Sequence, residues 1–107
     1  MDKQMSSLAD KLRSGQFVIT SELSPPKGTD TSALEATAAL LSGHIDAFNL
    51  PDSAASKMSL SPLAAASLLL KHGVEPILQM TTRDRNRIAL QGDMLGAWVL
   101  GVKNLVC

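Results

Sequence analysis

Residues 73–101 read GVEPILQMTTRDRNRIALQGDMLGAWVLG, and they hold one complete structural unit between two glycines. The run near 75–80 reads as a strand with an apolar core, and "TTRDRN" breaks it with a polar loop. From Asn86 to Leu100 the period becomes helical, with Ile88, Gln91, Leu95 and Val99 on one face; Gly101 supplies the stop. Gly92 and Gly96 inside that helix imply close approach of a neighbouring backbone.

The same unit recurs upstream. Gly15 precedes "QFVITSE", Gly43 precedes "HIDAFNL", Gly73 precedes "VEPILQM" and Gly101 precedes "VKNLVC". Successive glycines stand 28, 30 and 28 positions apart, the length of one strand plus one helix. Strands are expected near 17–22, 46–50, 75–80 and 103–107. Phe17, Val18, Ile19 and Thr20 read as a buried strand. A helix follows with Asp30, Thr31 and Ser32 as possible caps, a Ser32-x-x-Glu35 capping box, and Leu34, Ala38 and Leu41 on one stripe. Another starts at Ser61 with Pro62 in its first turn and stops at Gly73. A short helix over Ser7 to Arg13 precedes the first strand, giving a leading segment over 1–14 and a repeating unit over 15–107. Strands alternating with helices imply right-handed crossovers and a parallel α/β sheet.

Composition narrows the functions open to such a domain. Ten basic and ten acidic residues leave formal net charge 0, so no summed field draws the chain to nucleic acid or to an anionic membrane. Aromatic residues make up only 3%, which argues against stacking platforms for single-stranded bases. No window approaches the ~20 apolar residues that cross a bilayer. The start "MDKQMSSLADKLRSG" lacks the apolar core of a signal peptide, and Cys107 has no second cysteine to pair with. A reducing cytoplasm is the expected compartment. With no metal-spaced histidine beside Cys107, no metal site is expected. The five methionines read as core filler or solvated side chains.

Ligands of parallel α/β sheets bind at the C-terminal ends of the strands. Four polar residues collect at that rim: Glu22 closes "FVITSE", Asn49 lies in "AFNLPD", and Gln79 and Thr81 lie in "ILQMTT". Any one of them is equally well explained as a strand cap. Their convergence on one rim favours a site. Arg83, Arg85 and Arg87 stand in the loop after the third strand, where they would hold a polyanion or, as the weightier reading, pair with Asp84, Asp93 and neighbouring acids. His44 and His72 precede strands, at the opposite end, and read as structural or solvent-facing.

"TSELSPPKGTD", "DAFNLPDSA" and "EPILQMTTRDRNRIALQGDMLGAWVLGVKNLVC" resemble, in order and spacing, the N-terminal half of the methylenetetrahydrofolate reductases, flavin-dependent enzymes built on a (β/α)8 TIM barrel. The similarity covers roughly residues 15–107. It implies FAD as cofactor, NAD(P)H as electron donor and a folate substrate, with 5,10-methylenetetrahydrofolate reduced to 5-methyltetrahydrofolate in the one-carbon metabolism that supplies methionine. It also implies that Glu22, before the Pro-Pro pair, is the catalytic acid. Opening the folate's five-membered ring requires protonation of a departing nitrogen, and a carboxyl in a partly apolar barrel mouth suits that task. Asn49, Asp52, Gln79 and Thr81 fall where the family contacts its cofactors. Two positions depart from the pattern. Pro51 stands where many members have threonine and offers neither hydroxyl nor amide donor; Gln79 stands where some place histidine and does not titrate near neutral pH.

Such a barrel needs eight strands, and this chain holds four. Its outer strands are therefore expected to be open edges, completed by the second half of a longer enzyme or by association with itself or another polypeptide. Two other functions stay open at this point: a non-catalytic docking module, and a flavin-free barrel enzyme acting on pterins or one-carbon units, such as a methyltransferase domain.

Overall fold

The computed structural model of the chain describes residues 7–107; residues 1–6 of the expected 1–14 leading segment lie outside it. The elements run α1 (Ser7–Arg13), β1 (Thr20–Glu22), α2 (Ser32–Leu41), β2 (Ala47–Leu50), a 3-10 turn (Ala54–Ser56), α3 (Pro62–Lys71), β3 (Pro76–Gln79), α4 (Arg87–Leu100) and β4 (Leu105–Val106). The strands form one sheet in the order β1-β2-β3-β4. Every pairing is parallel, with Glu22 opposite Asn49, Asn49 opposite Ile77, and Gln79 opposite Val106. This is half of a (β/α)8 barrel, with each crossover helix returning the chain to the same end of the sheet.

The glycine repeat has a backbone cause. Gly15, Gly43, Gly73 and Gly101 are the four glycines at positive φ among the described residues. Each turns the chain from a helix toward the next strand through a left-handed conformation that a Cβ disfavours. At Gly101 (φ 102°) the amide caps α4 by donating to the carbonyls of Ala97 and Trp98.

The sheet's two faces differ. Phe48, Leu50 and Leu78 are fully or almost fully buried and pack with Leu34, Ala38, Ala65, Ala66 and Leu69 of α2 and α3. Alternation then puts Glu22, Ala47, Asn49, Ile77 and Gln79 on the other face. A small second cluster of Leu8, Ala47 and Ile77, with Val18 against it, seals the N-terminal end of that face under α1. Its C-terminal end stays open.

The structure differs from the sequence reading at several points. The buried run at 17–22 shrinks to the strand Thr20–Glu22, and Phe17 is 88% exposed. Pairing with β2 starts only near Ile19, through Asp46, and among the described residues β1 has no neighbour on its other side that would cover Phe17. At the start of α2 the Ser32–Glu35 box is not formed, and the other two cap candidates are engaged instead: Asp30 accepts from the Ser32 amide (3.0 Å) and the Thr31 hydroxyl donates to Glu35 (2.8 Å). The α4 stripe points outward, with Ile88, Leu95 and Val99 exposed. The helix packs instead through Ala97 and Leu90, because Leu90 and Ala97, seven residues apart, satisfy the helical period as well as the longer stripe does. Nor does any chain approach Gly92 or Gly96, where an added Cβ would meet nothing within 4 Å. The final strand is shorter than expected, pairing only at Leu105 and Val106.

Candidate functional site

The C-terminal rim is built from three loops that continue the strands. After β1, the Leu23 amide donates to the Asn49 carbonyl (2.9 Å), Pro25 is buried, and the Pro26 carbonyl accepts from the Leu60 amide (2.7 Å). The prolines limit φ, and those contacts fix the loop's direction, so the last residue of β1 has little freedom. Glu22 is that residue. It is exposed on the open face, directly across the pairing from Asn49, which is half-buried. Among the described residues, neither side chain donates to or accepts from another group.

Gln79 lies one pleat further along β3, on the same face. With strands about 4.8 Å apart and about 3.3 Å of rise per residue, its backbone sits roughly 12 Å from that of Glu22. The two therefore flank a space rather than touch. Beside Gln79 opens a cleft of about 360 Å³ lined by Asp52, Gln79, Thr81, Thr82, Val106 and Cys107. The structure thus brings Asp52, Gln79 and Thr81 together, and places Glu22 and Asn49 as neighbours next to them.

Asp52 has an occupied carboxylate. Its side chain is only 7% exposed. One oxygen accepts from the Thr81 amide (2.9 Å) and from Nη1 of Arg85, and the other is reached by Arg85 Nη2. Arg85 also donates through Nε to Asp93 on α4 (3.0 Å) and through Nη1 to the Thr81 carbonyl (3.2 Å). The hydrogen bond it donates to Asp52, with the charges of Asp52 and Asp93, holds the Arg85 guanidinium above its already high range. Arg83 pairs with Asp84, whose carboxyl it holds below the ordinary range, and reaches the Ser53 carbonyl (3.1 Å). Arg83 and Arg85 are thus committed to acids, as the weightier reading of "TTRDRNR" has it. Arg87 is exposed at the first turn of α4. The Asp52 partner was not legible beforehand, since no local spacing links two loop residues 33 positions apart.

At the other end of the sheet, His44 is exposed and His72 meets Glu35 at 2.9 Å. Among the described residues, no three His, Cys, Asp or Glu side chains converge as a metal site would require, and no helix is long and apolar enough to cross a membrane.

A family model described as methylenetetrahydrofolate reductase matches residues 7–107. The chain belongs to the methylenetetrahydrofolate reductase family. No curated protein matches it in the sequence search. Enzymes of this family are oxidoreductases and are generally flavin-dependent. The donor set suits such a group: Asn49 and Gln79 each offer a carboxamide able to donate and accept, which complements the alternating carbonyl and N–H edge of a flavin ring, and Thr81 adds a hydroxyl. That hydroxyl already accepts from the Arg83 amide (3.1 Å) and keeps its own proton to donate.

Proposed function

We propose that this chain forms the N-terminal half of the active site of an FAD-dependent methylenetetrahydrofolate reductase, in which Glu22 is the general acid. The observation that carries the reading is the position of Glu22: a carboxyl on a strand end, braced by the loop after it, unengaged by any donor among the described residues, and beside Asn49 on the face turned away from the core. Hydride transfer from NAD(P)H to the folate is the chemistry that bound FAD would supply. Asn49, Gln79 and Thr81 would hold and orient it through their amides and hydroxyl.

Glu22 then acts on the folate alone. Its carboxyl delivers a proton to the ring nitrogen that departs as the five-membered ring opens, so that the one-carbon unit becomes an electrophilic iminium ready to accept hydride. Pro51, buried and without an amide proton, contributes shape to this rim rather than a hydrogen bond.

The reading also calls for further strands. β1 and β4 each have one neighbour, and Phe17, Ile19, Leu105 and Val106 are exposed along or beside these edges. Additional parallel strands would satisfy the edges and enclose the open face.

The test is to purify the enzyme and ask for both flavin and turnover. A yellow chromophore released as FAD, with methylenetetrahydrofolate-dependent reoxidation of the reduced enzyme, supports the proposal. Folate binding without flavin would favour a flavin-free one-carbon enzyme, and the absence of both would favour a docking module; either result overturns it.

A further inference from the structure

We infer that Asp52 and Arg85 form a latch that sets the spacing of the loops after β2 and β3, and so positions Gln79 and Thr81 for their ligand. The inference rests on the reading of the adjoining cleft as the cofactor side of the site. The family resemblance implies that Asp52 contacts the cofactor, but its geometry is that of a brace. The carboxylate is almost fully covered, and both oxygens face donors of this same chain: the Thr81 amide at 2.9 Å, and the two terminal nitrogens of Arg85. A carboxylate so engaged has little left to offer a ligand, and turning it outward would strand a partly buried guanidinium.

Arg85 joins three parts of the fold: Asp52 in the loop after β2, the Thr81 carbonyl in the loop after β3, and Asp93 on α4. A planar fork with donors on three sides suits that geometry, and a lysine does not. The segment it braces needs bracing. Ser53, Ala55 and Ser56 have φ of 48°, 57° and 60°, a left-handed region that residues with a Cβ rarely occupy unless their surroundings impose it. Arg83 adds a second strap to the same segment through the Ser53 carbonyl at 3.1 Å. Release of the latch would let residues 53–56 relax and would free the Thr81 amide. The side chains lining the cleft would then lose their register.

The test compares Asp52→Asn, Arg85→Gln and the double variant in the folded chain by amide hydrogen exchange. Each single change should raise exchange at Thr81 and across residues 53–56 by about tenfold, while Ala66 and Leu69 in the core of α3 keep their protection. The double variant should be no worse than either single one, because both remove the same interaction. FAD titrated against the same variants in the assembled enzyme should bind about tenfold more weakly in each single variant, with melting temperature little changed and no further loss in the double.

Additive exchange effects, or a rise spread evenly over α3, would show that no discrete latch exists. Loosened loops with unchanged FAD affinity would show that the latch positions nothing. If the unaltered assembled enzyme binds no FAD, the cofactor reading fails and the positioning role with it, while exchange still decides whether the brace exists. Arg85→Lys guards against a folding artefact: it keeps the charge and loses the fork, and should reproduce most of the loosening. Full retention of protection in that variant would contradict the geometric argument.

Discussion

The two faces of one short sheet have opposite fates. On β2, Phe48 and Leu50 are sealed beneath α2 and α3, whereas Asn49 between them faces the open side next to Glu22. On β3, Leu78 is buried while Gln79 borders the cleft. Adjacent positions in the chain therefore answer to different demands: one set holds the fold, and the other is left free for chemistry. It follows that substitutions on the covered face should cost stability, and those at the open C-terminal end of the other face, beyond the packed Ala47 and Ile77, should cost function and little else.

The largest effect belongs to the covered face. Phe48→Ala should lower unfolding free energy by about 3–5 kcal/mol, since the ring is fully buried against two helices; urea unfolding checks it, and a loss under ~1 kcal/mol would break the contrast. Next come the edges. The 107-residue chain by itself should self-associate, and Phe17→Asp should shift light scattering toward the 11.3 kDa monomer. A stable monomer at high concentration before any substitution would mean that the edges are satisfied in some other way.

A smaller effect concerns the base of the sheet. Asp46 is held below the usual carboxylate range, first by the hydrogen bond from Lys11 and then by the Ile19 amide. Its folded-state value being depressed, its stabilising contribution is complete above about pH 4, the ordinary aspartate range, and is lost as pH falls through the lower folded value. Lys11→Met should therefore reduce the fall in melting temperature on acidification below about pH 4. An unchanged acid profile would assign the acid sensitivity elsewhere. The smallest effect is on the open face, where Asn49→Ala should change stability by no more than about 0.5 kcal/mol. A larger loss would mean that the open face also holds the fold together.

What could be read from the sequence follows the same division between local and distant causes. The glycines at 28-to-30-residue spacing were legible because each must adopt positive φ at a fixed point in a repeating unit. The Ser61 cap with Pro62, and the Asn86 cap whose side chain accepts from Ala89, are likewise local chemistry. Phe17 misled because its neighbours predict a strand, whereas its burial depends on a partner that β1 lacks. On α4 the stripe is one face, as its period has it, but periodicity does not say which face meets the sheet, and this one is exposed. Glu22, Asn49, Gln79 and Thr81 could be placed at one rim from strand ends alone. The engagement of Asp52 by Arg85 could not, because it depends on how two loops meet.

The central claim is that Glu22 is free to act because it has no part in holding the fold. Stopped-flow measurement of the two half-reactions in the assembled enzyme, with Glu22→Gln compared at matched flavin occupancy, tests this directly. Glutamine keeps the shape and removes the transferable proton. Folate reduction should then fall by about 10²-fold or more, the scale of lost general acid catalysis, while flavin reduction by NAD(P)H and the melting temperature stay close to those of the unaltered enzyme. Equal losses in both half-reactions, accompanied by a lowered melting temperature, would contradict the account and make Glu22 a structural residue.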